Sequence, residues 1–207
     1  MAIHIIEPVA TFIHIPKTAG GSFARWCSEN MDCDKKQRHC TIIEARNIWE
    51  DLGTTFTFVR NPFDRLVSLF HFIGQSAEDR LKNIKKGIPV KKGTSEKVDL
   101  LVAGYYKKGF ENWVLERNNN IHNPFDLGDT FGRCSPMVFW TNNEIDIVIK
   151  MEELDTQIRL IEDLLHRKIN MPHIHKTKRS DYRDYYNKET QAIVENWFKD
   201  DLDTFGY

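Results

Sequence analysis

Apolar positions along this chain recur with two periods, and the alternation between them sets the expected elements. Thr11–Ile15 is a short buried-type run and predicts a strand; Phe23–Asn30 is amphipathic and predicts a helix. Thr54–Val59, rich in β-branched and aromatic residues, predicts a second strand. Asn61-Pro62 then opens a helix, with Asn61 as N-cap and Leu66, Leu69, Phe70 and Ile73 as its apolar face. Val98–Arg117 reads as helical with a break near Gly109, and Asn118–Thr130 as turns. Ile145–Met151 alternates as a strand. Glu152–His166 is a helix with Leu154, Ile158, Ile161 and Leu165 inward, and Glu189–Leu202 a last helix carrying Ile193, Val194, Trp197 and Phe198 on one side. Strands alternating with helices predict a three-layer α/β fold, with a central parallel sheet flanked by helices. No internal repeat interrupts it, and residues 1–207 are expected to form one domain.

Candidate chemistry sits where the first strand ends, in Pro16-Lys17-Thr18-Ala19-Gly20-Gly21-Ser22. A strand, a glycine loop and a helix start leave unpaired backbone N–H groups pointing outward, with the helix dipole adding positive potential. Lys17 adds a point charge, Thr18 and Ser22 add hydroxyls, and the glycines allow close approach by a bulky anion. The nucleotide P-loop G-x-x-x-x-G-K-[ST] has its lysine after the last glycine, whereas Lys17 precedes both. The competing reading is an ordinary strand-to-helix turn with a surface lysine.

Composition limits the alternatives. The chain has a formal net charge of −1, so no global field draws it to nucleic acid or a membrane surface, and any anion site must be local. No apolar run approaches the ~20 residues that span a bilayer. Met1–Ala10 lacks the pattern of a signal peptide, which predicts a cytoplasmic location. Cys27, Cys33, Cys40 and Cys134 have no framework spacing and read as free thiols. A Cys33/His39/Cys40 zinc site has no C-x-x-C pair behind it, and no metal is expected. Lys82–Lys97 carries six lysines against Glu96 and is expected to be a mobile basic insertion, either solvated surface or a contact for an acidic acceptor. Lys176–Arg183 is a second basic patch.

Arg60 closes the second strand, and Ser68 lies two turns beyond Asn61, so both can converge on one group beside the helix. Alternatively Arg60 pairs with Asp64 and Ser68 merely packs. Two anion loops after two strands suggest one ligand with two separated anionic groups, the form of an adenosine nucleotide with a 5′-phosphosulfate and a 3′-phosphate. Pro16–Ser22 resembles the 5′-phosphosulfate loop of PAPS-dependent sulfotransferases, and Val59-Arg60-Asn61-Pro62-Phe63-Asp64-Arg65-Leu66-Val67-Ser68 resembles their 3′-phosphate motif. The chain is most similar to the branch related to heparan sulfate 2-O- and 6-O-sulfotransferases, in its compact bacterial and phage members. His173–Tyr182 and Asp201–Tyr207 also resemble that branch, and residues 75–145 match least.

The resemblance implies a P-loop-like fold, PAPS as donor, PAP as product and a hydroxyl acceptor, expected to be a saccharide. It implies that Lys17 contacts the phosphosulfate with Thr18, Ala19, Gly20, Gly21 and Ser22. Arg60 and Ser68 would hold the 3′-phosphate, and the C-terminal loop would close through Lys176, Lys178 or Arg179. Many members carry Thr where this chain has Gly21, and His-x-Asn-x-Ser where it has His175 and Thr177. His39, between the two motifs, occupies a place similar to the family's catalytic histidine and is the expected base. Glu44 is the second choice. His14 reads as a packed core residue, His71 as structural, and His173 and His175 as loop residues. Glu152, after the third strand, reads as a structural tie at the sheet edge. A P-loop kinase or NTPase, and a non-catalytic module that binds PAP or an acidic glycan, are the competing readings.

Overall fold

The computed structural model describes residues 2–35, 39–90, 95–119, 133–172 and 178–207. Its strands are β1 (Ala2–Ile5), β2 (Ala10–Ile13), β3 (Cys33–Lys35), β4 (Thr54–Val59) and β5 (Ile147–Lys150). Its α-helices are α1 (Gly20–Asn30), α2 (Ile42–Arg46), α3 (Pro62–Lys85), α4 (Glu96–Lys108), α5 (Phe110–Asn118), α6 (Met137–Thr141), α7 (Leu154–Gln157), α8 (Arg159–Leu165), α9 (Lys188–Trp197) and α10 (Lys199–Phe205). The chain divides into two compact units. The first comprises residues 1–65, 135–176 and 198–207; the second comprises 66–134 and 177–197.

The first unit holds one sheet in the order β3-β1-β2-β4-β5. β2 pairs with β4, and β4 with β5, in parallel; β1 runs antiparallel to both β2 and β3. Four strands therefore run one way and β1 the other, so the sheet is mostly parallel rather than wholly so. β1 and β3 are absent from the expectation. Each is short, and its partner is chosen by pairing in space rather than by a local signal.

Side chains alternate across the sheet with period two. Phe12, Phe56, Phe58 and Ile149 face one way, against Phe23 and Trp26 of α1 and Ile161 and Leu165 of α8. Ile13 and Val59 face the other, against Ile42 and Ala45 of α2, Met137 and Trp140 of α6 and Phe205 of α10. That is a helix–sheet–helix sandwich. The register Phe12↔Phe56 and Phe58↔Ile149 aligns the carboxyl ends of β2, β4 and β5. In such sheets ligands bind beyond those ends.

The second unit packs α4, α5, α9 and the greater part of α3 around Phe70, whose ring lies 5.5 Å from Phe110 and 5.4 Å from Trp113. Arg80 makes a forked ion pair with the buried Asp99, at 2.6 and 2.9 Å. Asn187 caps α9 by accepting from the Thr190 N–H at 2.8 Å.

Several expected boundaries shift. The basic insertion does not begin as a loop: Lys82 and Lys85 end α3, and Lys97 lies in the first turn of α4, whose cap is Ser95; residues 91–94 lie outside the described residues. The helix expected over Glu152–His166 is a 3-10 turn (Met151–Glu153) followed by α7 and α8, and the last helix breaks at Phe198 into α9 and α10. The break at Gly109 is present, with φ +92°. Nearly all of Asn118–Thr130 lies outside the described residues, as do Lys176, His173, His175 and Thr177. α2 and α6 are additional.

Candidate active site

β2 ends at Ile13, and the chain from there to Gly20 follows an unusual course. Lys17 and Ala19 have φ of +69° and +65°, the left-handed region that L side chains avoid. Each such residue costs about 1–2 kcal/mol, so the surrounding contacts must hold the loop in place. They do so through its carbonyls. The Ile13 carbonyl accepts from Thr57 Oγ1 at 2.7 Å, that of His14 from His39 Nδ1 at 2.9 Å, and that of Ile15 from Thr18 Oγ1 at 2.9 Å. Pro16 accepts from Arg65 Nε at 3.0 Å and Lys17 from Arg60 Nη1 at 3.2 Å. Five consecutive carbonyls are thus each held by a side-chain donor from β4, α3, the loop itself or the segment before α2. Fixing a carbonyl fixes its peptide plane, and the N–H groups are oriented with it.

The consequence appears at the start of α1. Ala19, left-handed, caps the helix without a side-chain bond, and its carbonyl accepts from Ser22 N at 2.9 Å and Phe23 N at 3.3 Å. The N–H groups of Gly20 and Gly21 come before that ladder. A left-handed residue followed by helical ones turns successive N–H groups to one side, the geometry of an anion-binding concavity. Gly20 must be glycine, since a Cβ there would stand 1.9 Å from Cδ2 of the His14 ring. The site thus fits an anionic group on three observations: oriented N–H groups, the ammonium of Lys17 on the same loop, and the Arg60 guanidinium bonded to the Lys17 carbonyl.

Thr18 differs from expectation. It is fully buried and its hydroxyl donates to the Ile15 carbonyl, so it braces the loop. Arg60 makes the ion pair with Asp64 and also braces the loop. Its Nε and Nη2 donate to Asp64 Oδ2 at 2.8 and 2.6 Å, while Nη1 reaches the Lys17 carbonyl. Asn61 caps α3 as expected, accepting from Phe63 N at 3.0 Å, and its own N–H donates to Glu152 Oε1 at 2.7 Å. Glu152 also accepts from the Tyr207 hydroxyl at 3.0 Å, so it ties the tips of β4 and β5 to the C-terminus.

His39 is half-buried, with its ring centroid 4.6 Å from that of His14 and 5.8 Å from the edge-on Trp140. A carbonyl can only accept, so Nδ1 carries the proton and the neutral ring keeps its lone pair on Nε2. His14 is held neutral: burial first, then the neighbouring His39, the N-terminus and Lys17, depress its pKa well below 6.5. Its Nδ1 is shut off from solvent, without a partner among the described residues. Glu44 is occupied elsewhere. It accepts from Thr41 N at 2.8 Å, closing a capping box on α2, and the Thr41-Ile42-Ile43-Glu44 spacing carries that signal.

Arg65 was missed. It is 3 % exposed, donates to the Pro16 carbonyl and also, at 2.9 Å, to that of Ser135. Nothing in its sequence context separates it from a surface arginine; its contacts exist only once α3 is docked on the loop. Behind it, the buried Asp201 accepts from Met137 N and Val138 N at 2.7 and 2.9 Å, and burial raises its pKa despite those bonds and Arg65.

Ser68, Lys178 and Arg179 lie in the second unit. Ser68 is buried on α3, as are Leu66, Val67, Leu69 and Phe70 around it, so this turn is covered on all sides rather than on one stripe. All four cysteines are free. Among the described residues no helix is long and apolar enough to cross a membrane, and no cluster of three or more His, Cys, Asp or Glu could hold a metal ion.

Searches among curated proteins and among solved structures return no match. A family model described as the sulfotransferase family matches residues 7–207, which takes in the braced loop, the Arg60 tip and the C-terminus, and on that match the chain belongs to the sulfotransferase family.

Proposed function

We propose that this protein transfers a sulfuryl group from PAPS to a hydroxyl of a saccharide, as a compact relative of the heparan sulfate 2-O-/6-O-sulfotransferase branch. The observation that carries the reading is the braced loop: five held carbonyls, two of them bonded by Arg60 and His39. The cation of one strand tip and the imidazole are thereby fixed to the same segment as Lys17. Lys17 with the N–H groups of Gly20 and Gly21 would meet the phosphosulfate, Arg60 and Ser68 the 3′-phosphate, and Lys178 and Arg179 the nucleotide from the C-terminal side.

PAPS supplies an activated sulfuryl group on a phosphate leaving group. His39 Nε2 takes the proton of the acceptor hydroxyl as that oxygen bonds to sulfur and the bond from sulfur to the 5′-phosphate oxygen breaks, leaving PAP. Lys17 stabilises the charge that gathers on the leaving oxygen. His39 ends protonated on both nitrogens, with Nδ1 still donating to the His14 carbonyl, and returns its proton to solvent.

Thermal melts with PAP, ATP and GTP test the donor class. A shift with PAP well above those with ATP and GTP is expected; equal shifts, or none, would favour the NTPase reading or neither. For the base, His39→Ala should lose turnover about 10²–10⁴-fold while keeping PAP affinity. Near-normal turnover in that variant would remove His39 from the role, and PAP binding without turnover on any glycan would favour a binding module.

A further inference from the structure

Among the described residues of the second unit, a buried donor has nothing to donate to. Gln75 on α3 donates through Nε2 to the Lys178 carbonyl at 3.0 Å, and since a carbonyl only accepts, the amide nitrogen must face it. The same nitrogen reaches the Tyr106 hydroxyl oxygen at 3.4 Å. Tyr106 stays a neutral phenol, its pKa raised chiefly by burial. Its proton has His71 Nδ1, 2.7 Å away, as its acceptor. That fixes the His71 tautomer with hydrogen on Nε2, and Nε2 is buried and has no partner among the described residues. His71 is 8 % exposed. The arrangement is held tightly, because a Cβ on Gly74 would stand 2.2 Å from the Tyr106 ring.

A buried N–H without an acceptor is costly, and the surroundings indicate which acceptor would relieve it. Ser68 lies three residues before His71, on the same face of α3, and Gln75 four residues after. Gln75 ties down Lys178, next to Arg179, and the charge of Arg179 acts on His71. Of the described carboxylates, Glu78 acts on Tyr106 and Asp181 on Arg179, and neither shifts His71. The Tyr185 ring, edge-on to His71 at 5.0 Å, offers only a weak aromatic acceptor. A hydroxyl, a neutral N–H and a guanidinium within one unit suit a terminal phosphate.

We propose that His71 Nε2–H is a donor to the 3′-phosphate of the nucleotide, oriented by the relay Gln75–Tyr106–His71. This rests on the reading above that Ser68 and Arg179 meet that phosphate. Gln75 and Tyr106 are positioning residues, and only His71 touches the ligand.

Calorimetric titration with PAP and with adenosine 5′-phosphate, which lacks the 3′-phosphate, reads the effect directly. His71→Phe should weaken PAP about tenfold or more and leave adenosine 5′-phosphate unchanged. His71→Gln, which keeps an N–H donor, should recover part of the loss, and Tyr106→Phe should lose less than His71→Phe. In the unsubstituted protein labelled with ¹⁵N-histidine, PAP but not adenosine 5′-phosphate should move the Nε2–H resonance of His71, which needs no variant to fold. A preference for PAP that survives His71→Phe, a parallel loss of both ligands, or an unmoved resonance would overturn this assignment alone. A wild-type protein that does not prefer PAP would overturn the donor reading and this assignment together.

Discussion

The two strand tips are held in place by opposite means. At the end of β2 the backbone is distorted: Lys17 and Ala19 are left-handed, and their neighbours' carbonyls are held by donors from elsewhere. At the end of β4 the capping is regular, with Asn61 closing the first turn of α3, and the ordering lies in a side chain. Arg60 is 12 % exposed and bonded at both ends, to Asp64 and to Lys17. The first tip offers oriented N–H groups; the second offers a rigid guanidinium. The contrast implies that substitutions at β2 should trade stability against binding, whereas those at β4 should lose both together.

The largest effect should come from Arg60→Ala. It leaves Asp64 poorly solvated without its cation and frees the Lys17 carbonyl, at about 3 kcal/mol of stability by urea melts, with PAP affinity lost as well. The double variant Arg60→Ala/Asp64→Ala should regain much of the stability and none of the affinity. If the double variant recovers PAP binding, Arg60 is a structural brace only and the contrast fails.

Lys17→Gly should act in the other direction. Glycine adopts φ near +69° without strain, and after allowing for the more flexible unfolded chain the variant should gain up to about 1 kcal/mol. PAP affinity should still fall about tenfold or more from loss of the ammonium. A stability loss on melting would show that the left-handed backbone at Lys17 is not strained.

The smallest effect is the pH dependence, which compares the two units through His14 and His71. Both have pKa values lowered from 6.5, first by burial and then by a neighbour, His39 or Lys17 in one case and Arg179 in the other. Below 6.5 the unfolded chain binds protons that the folded chain refuses, so stability falls with acidification, by at most about 1.4 kcal/mol per pH unit for each ring. Asp201 works in the opposite sense at lower pH: its folded pKa is raised from 3.8, so protonation favours the fold as pH drops toward that value. Melting temperatures between pH 7.5 and 5.5 should decline, and His14→Asn and His71→Gln should each flatten the slope. Unchanged slopes in both variants would show that neither ring is held neutral by the fold.

Much of this organisation is written locally. The β4 run Thr54–Val59, the Asn61 cap, the break at Gly109 and the glycine-rich start of α1 each follow from residues a few positions apart, because propensity, capping and left-handed turns are decided within a turn or two. The order of the two motifs, Pro16–Ser22 and Val59–Ser68, is equally local, and both lie within the span matched by the sulfotransferase family model. The capping box at Thr41–Glu44 is equally legible in the spacing of those residues. What the chain order could not disclose are the partners brought together across long separations. They include β1 reversed against β2, Arg65 under Pro16, Thr18 turned inward to Ile15, and the His39 tautomer set by the His14 carbonyl. Those depend on which groups lose water together when the sheet and its helices close, and a buried donor finds its acceptor by position in space, whatever its distance along the chain.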